Sequence, residues 1–204
     1  MRRCSILSHY FENDQNLTSQ PRALEASFAG RAYTFLADRG VFSARRIDDG
    51  TRILTEALLG EDLGTDLLDL GCGYGPIGIV LADQFPALRV TMVDVNRRSI
   101  DLAKKNIATR RLDARVIALV SDGYAEVRDC YDTIVTNPPI RAGKEVVYRF
   151  YAEAKNHLKP GGKLYIVIRK AQGAASTNAY LQTLYRHVTR IARAAGYHVY
   201  QAHD

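Results

Sequence analysis

The chain has 204 residues, 47% of them hydrophobic and 25% charged, which suffices for one domain with a sizeable core and excludes wholesale disorder, collagen and coiled coil. Lys and Arg number 28 against 22 Asp and Glu, and the resulting net charge of +6 suits a polyanionic partner as well as plain solubility. No apolar run approaches a membrane span, the start through Phe11 lacks a secretory apolar stretch, and Cys4, Cys72 and Cys130 have neither zinc nor disulfide spacing. The expectation is a cytoplasmic protein with reduced thiols and no metal.

Residues 1–22 are polar, broken by Asn13, Asn16, Ser19 and Pro21, and read as an N-terminal arm. The remaining 23–204 read as one domain whose first part, about 23–64, is a strand and helix extension. Tyr33 and Phe35 alternate with smaller or polar neighbours as in a short strand, and Ile53, Leu54, Ala57 and Leu58 form a helical stripe ending at Gly60. Strands are then expected near 66–70, 89–94, 115–120, 132–136 and 163–169, with helices near 76–84, 97–109 and 144–157. Ala179, Leu181, Leu184 and Tyr185 suit one more helix, and Val188–Arg193 and Tyr197–Tyr200 flank Ala194-Ala-Gly196 as a terminal hairpin. Strands alternating with helices imply an α/β fold: a mainly parallel twisted sheet with helices on both faces, closed by a C-terminal antiparallel hairpin.

Asp69-Leu-Gly71-Cys72-Gly73-Tyr-Gly75-Pro-Ile-Gly78 joins the first of these strands to a helix. The glycines let the backbone turn sharply and approach a ligand, and Pro76 suits the first helical turn. The run Gly73 to Gly78 also fits the dinucleotide pattern G-x-G-x-x-G, and Asp94 follows Gly75 by 19 residues, near where an acid meets a ribose. Three features turn the reading from NAD toward S-adenosyl-L-methionine. Asp69 would repel a pyrophosphate and suits a cationic ammonium, directly or through water. Asp122, followed by Gly123, can accept from an adenine amino group. Asn137-Pro138-Pro139-Ile140 ends the fourth strand, where the Asn137 side-chain oxygen and the Pro138 carbonyl can accept the two hydrogens of a planar amine. Methyl transfer from a sulfonium to a neutral nitrogen needs aiming and water exclusion more than a strong base. The prolines stiffen that turn and remove N–H groups that would compete.

These motifs resemble the Rossmann-like class I methyltransferases of the N-methylating kind. Gly40-Val-Phe-Ser43, Asp49-Gly-Thr-Arg52, Asn137-Pro-Pro-Ile-Arg-Ala-Gly-Lys144 and Gly161-Gly-Lys-Leu164 narrow the likeness further. They resemble the single-domain bacterial branch of the ribosomal RNA small-subunit methyltransferase C family, the 16S guanine-N2 methyltransferases. The resemblance implies that Asp69, Gly71, Cys72, Gly73 and Gly75 hold the methionyl part, Asp94 and Val95 the ribose, and Asp122 and Gly123 the adenine. It implies that Asn137 and Pro138 position a guanine N2 amine, with Pro139 holding the turn and Ile140, Arg141, Lys144 and Phe42 around the acceptor. The implied partner is ribosomal RNA or the small subunit; the sequence leaves the oligomeric state open and favours a monomer. Many relatives carry an aromatic residue where this chain has Ile140, and larger ones add a degenerate half before the catalytic one.

Blander readings stand beside these. Asp94 could cap the next helix, Asn137-Pro-Pro139 could be a plain turn, and Phe42 is either a base-stacking lid or a plug under the N-terminal segment. Arg141, Lys144, Arg149, Arg169 and Lys170 either grip phosphates or form a solvated rim. Adenine N6 or a protein glutamine could replace guanine as acceptor, and an NAD-dependent oxidoreductase or a noncatalytic RNA-binding factor are the rivals from other classes.

Overall fold

The structure, a computed structural model, describes residues 18–204, so the expected N-terminal arm lies, as far as residue 17, outside the described residues. Nine strands and five α-helices follow in order: β1 (Arg22–Phe28), β2 (Arg31–Ala37), α1 (Asp49–Leu58), β3 (Asp66–Leu70), α2 (Pro76–Gln84), β4 (Arg89–Asp94) and α3 (Arg97–Thr109). Then come β5 (Val116–Val120), β6 (Tyr131–Thr136), α4 (Lys144–Glu153), β7 (Leu158–Arg169), α5 (Ala174–Leu184), β8 (His187–Ala194) and β9 (Tyr197–His203).

Seven strands form one sheet in the order β5-β4-β3-β6-β7-β9-β8, parallel through β7 and antiparallel in the last two pairings. Leu67 and Leu68 of β3, Ile134 and Val135 of β6 and Leu164–Ile168 of β7 are buried because both faces of the inner strands are covered, whereas Ile117, Leu119 and Val120 of the edge strand β5 stay exposed. Along β7, Leu164, Ile166 and Ile168 pack with Val147, Tyr151 and Leu181 of α4 and α5, while Tyr165 and Val167 between them pack with Leu54, Leu58 and Ile79 of α1 and α2. Chain direction across the sheet reverses between β3 and β6, and the crevice outside the carboxyl ends of those strands is where α/β sheets bind ligands. At the opposite end Lys159 Nζ bridges Asp66 (2.6 Å) and Asp132 (2.9 Å) while Arg89 meets Asp66 through Nε at 2.7 Å. That ion-pair network ties the strand starts together.

The sequence reading missed β1. Leu24 and Phe28 are buried and alternate with exposed residues, and Ala29 (φ 47°) and Gly30 (φ 75°) make the two-residue turn into β2. The β1–β2 hairpin is fastened to α3 by the buried Asn106 amide, which accepts from Leu36 N (2.7 Å) and donates to Leu36 O (3.0 Å) and Tyr74 O (2.9 Å). Just before β1, Ser19 Oγ and the Gln20 amide donate to buried Asp38, each at 2.7 Å. The expected helix near 144–157 tightens to 3₁₀ geometry over Ala154–His157, and β7 begins five residues before the expected 163.

Candidate active site

A cavity of about 580 Å³ opens over the carboxyl ends of β3, β4 and β6. Its floor is the β3–α2 turn. Gly71 and Cys72 amides both donate to Val93 O, at 2.8 and 2.9 Å, folding the chain sharply back over β4. Gly71 (φ 75°) and Gly73 (φ 58°) occupy left-handed backbone, and a Cβ on either would meet nothing within 4 Å, so this backbone lies open to a ligand. Gly75 serves a different end: a Cβ there would stand 2.6 Å from Met92 Cε, so this glycine lets α2 close against β4 and does not line the cavity.

Asp94, at the end of β4, is held by two backbone donors, Gly73 N on Oδ2 (2.9 Å) and Asn96 N on Oδ1 (2.8 Å). Each oxygen keeps a further lone pair, and Asp94 is part of the cavity lining. Capping of α3 falls to Asn96, which accepts from Arg98 N and Ser99 N, so the capping alternative for Asp94 is excluded. Burial raises the Asp94 pKa against the pull of those two amides.

Asp69 does not stand where direct contact with a ligand requires. It is fully buried beneath the turn, with Oδ2 accepting from Gly78 N at 2.9 Å and Oδ1 buried without a partner among the described residues. Burial raises its pKa to about 7, Gly78 N–H opposing and nearby Asp94 adding to the rise. An orphaned, reluctant carboxylate under an open glycine turn fits a cationic group placed above it, through water or through the field alone. Cys72 lines the cavity, and burial pushes its thiol pKa well up, so it is no nucleophile.

On the opposite wall Asn137 ends β6. Its Nδ2 donates to Asp48 Oδ2 (2.9 Å) and Thr51 Oγ1 (3.0 Å), which consumes both amide hydrogens and turns Oδ1 away from those partners as an acceptor. Asp48 is the N-cap of α1, accepting also from Gly50 N and Thr51 N. Neither Asp48 nor Thr51 was expected at the site, although Asp48-Asp-Gly-Thr51 before an apolar stripe is a legible helix start. The Pro138 carbonyl accepts from Ile140 N at 2.8 Å, so the expectation that the prolines clear away competing donors is corrected, and one lone pair of that oxygen remains. Tyr197 of β9, also unanticipated, lines the cavity with its ring against Gly50, where a Cβ would stand 3.0 Å from Cε1.

Phe42 is 58% exposed at the cavity mouth, which rules out the plug. Val95, Asp122, Gly123, Pro138, Pro139, Ile140 and Arg141 line the cavity as well. Asp122 is paired with Arg149 at 2.9 Å, so Arg149 is already spent on a carboxylate. Lys144 is not in the lining; its Nζ lies 4.9 Å from the Tyr148 ring centroid. Asp69, Gly75 and Lys144 are thus the expected site residues that the fold keeps out of the cavity.

This strand order, with an open glycine turn after the first parallel strand, an acid ending the second and a polar Asn-Pro-Pro turn ending the fourth, defines the Rossmann-like S-adenosylmethionine-dependent methyltransferases. Within that class the chain belongs to the methyltransferase small domain family, whose profile matches residues 32–201. It is 35% identical over 95% of its length, and 97% of the other, to the uncharacterized protein YbxB of Bacillus subtilis (strain 168). It is 34% identical to the ribosomal RNA small subunit methyltransferase C of Aeromonas hydrophila, over 98% of this chain and 58% of that one. Among solved structures, the T. thermophilus 16S rRNA N2 G1207 methyltransferase (RsmC) in complex with AdoMet and guanosine superposes with a TM-score of 0.81 at 30% identity, covering 92% of this chain and 52% of that one. The chain therefore spans little more than half the length of these two methyltransferases.

Proposed function

We propose that the protein transfers a methyl group from S-adenosylmethionine to the exocyclic N2 amine of a guanine in small-subunit ribosomal RNA, with residues 23–204 as one catalytic unit. The observation that carries this reading is the fixed Asn137 amide. With Nδ2 committed to Asp48 and Thr51, Oδ1 of this cavity-lining residue is left as a hydrogen-bond acceptor, and the remaining Pro138 lone pair stands one residue on. Two adjacent acceptors suit a planar amine carrying two hydrogens. The choice of guanine over adenine N6 or a glutamine amide rests on the similarity to the methyltransferase C proteins.

S-adenosylmethionine, when bound, supplies an electrophilic methyl on a sulfonium. The Gly71–Gly73 backbone over Asp69 would receive its methionyl part, Asp94 would accept from the ribose hydroxyls, and Asp122 with Gly123 would border the adenine. Asn137 and Pro138 would hold the two amine hydrogens and so orient the nitrogen, and Phe42 and Ile140 would cover the base and keep water out. Ribosomal RNA or the small subunit is the partner, the cytoplasm the place and the monomer the working unit.

The test is labelled-methyl transfer to unmodified small-subunit RNA and to isolated subunits, with nucleoside analysis of the product. N2-methylguanosine is expected. Methylated adenine or protein would replace the acceptor, and failure to bind S-adenosylmethionine by isothermal titration would overturn the cofactor.

A further inference from the structure

We propose that the β8–β9 hairpin carries the surface that holds the phosphates of the target RNA strand, through Arg190, Arg193 and Lys170; this rests on the RNA reading above. The surface is made by an irregularity in the edge strand. Residues three apart on a regular strand point to opposite faces of the sheet. In β8, however, Arg190 lies opposite Tyr200, Ala192 opposite Val199 and Arg193 opposite His198, leaving Ile191 as an extra residue in a bulge. Arg190 and Arg193 therefore share one face with His198 and Tyr200. Lys170 joins them at the turn, where its backbone N–H donates to Gly196 O at 2.7 Å.

All three cations are exposed, and among the described residues none is paired with a carboxylate, in contrast to Arg149 on Asp122 and Lys155 on Asp204. Their closeness registers on buried His198: burial first, then Arg190, Arg193 and Lys170, hold its imidazole below the ordinary histidine range. Three like charges fixed together on a stiff seven-stranded sheet repel one another, and an anion offsets that cost. The patch meets the cavity at the end of β7 through Lys170: Gln172, two residues on, lines the cavity, whereas Tyr197, which also lines it, projects from the opposite face of β9 to His198, with exposed Arg169 opposite it across β7 and β9. A base delivered into the cavity leaves its own backbone at the rim, so its phosphates lie within reach of this patch.

The test is the double variant Arg190→Ala/Arg193→Ala, titrated at several salt concentrations with unmodified small-subunit RNA transcribed in vitro. We expect RNA affinity to fall about tenfold and the slope of log affinity on log salt to flatten by about 1.4, at roughly 0.7 per single-strand phosphate contact. S-adenosylmethionine affinity should stay unchanged, as a check on folding, and the Arg190→Lys/Arg193→Lys pair should restore most of the RNA affinity. Wild-type protein that transfers no methyl to RNA would remove the reading on which the surface rests. Wild-type transfer alongside an unaltered affinity and slope in the double variant would overturn the surface alone. So would a loss seen only with intact subunits and not with naked RNA, since the patch would then meet a ribosomal protein.

Discussion

Across 89 positions of sequence, Asn137 Nδ2 donates to Asp48 Oδ2 at 2.9 Å, so a helix cap sets the orientation of the side chain at the end of β6. Asn caps a helix as well as Asp does. Asp48→Asn should therefore keep the melting temperature nearly unchanged while loosening the Asn137 amide. Its kcat should fall on the order of tenfold at unaltered cofactor affinity, and Asn137→Ala should cost roughly a hundredfold or more. Wild-type kcat in Asn137→Ala, measured by single-turnover transfer, would remove Asn137 from the chemistry.

Asp94 accepts from Gly73 N and Asn96 N and keeps further lone pairs, the ones proposed above for the ribose. Asp94→Asn should weaken S-adenosylmethionine binding by about tenfold, or roughly 1.4 kcal/mol, in isothermal titration. Equal affinity would place the ribose elsewhere.

Phe42 offers an exposed ring at the cavity mouth, and Ile140, which follows the Asn-Pro-Pro turn, is aliphatic. Removing base–aromatic stacking costs about 1–3 kcal/mol per base. Phe42→Ala should raise KM for RNA by tenfold or so, and Phe42→Tyr should restore it. A KM unmoved in the alanine variant would relieve Phe42 of the base.

The Asp69 carboxyl keeps its proton to about pH 7 in the folded protein, whereas an unfolded one releases it near pH 4. The native state then binds more protons in that window, so this group's contribution is full below about pH 4 and is lost as pH rises through 7. Asp94, raised by the same cause, adds a part of equal sign. Thermal melts of the ligand-free protein should decline from pH 5 to pH 8, and Asp69→Asn should flatten that decline. Parallel profiles for the two proteins would count against the shift.

Gly78 faces Met92, and a Cβ there would stand 2.7 Å from Sδ and 3.1 Å from Asp69 Oδ2. Gly78→Ala should destabilise by about 1–3 kcal/mol through overpacking. Gly73→Ala, at positive φ over open space, should act on cofactor affinity instead. Denaturant melts and titration of both variants separate packing from ligand approach.

The α/β order, the helices at 76–84 and 97–109 and the terminal hairpin were legible because glycine turns, caps and apolar runs are local signals. So was the meeting of the glycine turn, Asp94 and Asn137, since strand ends in a parallel sheet share one edge. The contributions of Asp48, Thr51 and Tyr197 were not legible, because they arise where α1 and β9 pack beside β6, across separations that no local pattern encodes. Whether Asp69 meets a ligand directly or through water was not legible for a related reason: its depth below the turn's surface depends on how tightly Gly78 lets α2 settle.

β9 follows β8 in the chain yet lies inside it in the sheet, between β7 and β8. β8 joins the sheet only through β9, which pairs with β7 on its other side. The wall that Tyr197 gives the cavity and the arginines on the outer strand therefore arrive together, in the last pairing step. A chain short of that pairing has its glycine turn and its Asn-Pro-Pro turn but lacks the wall that closes the cavity beside them.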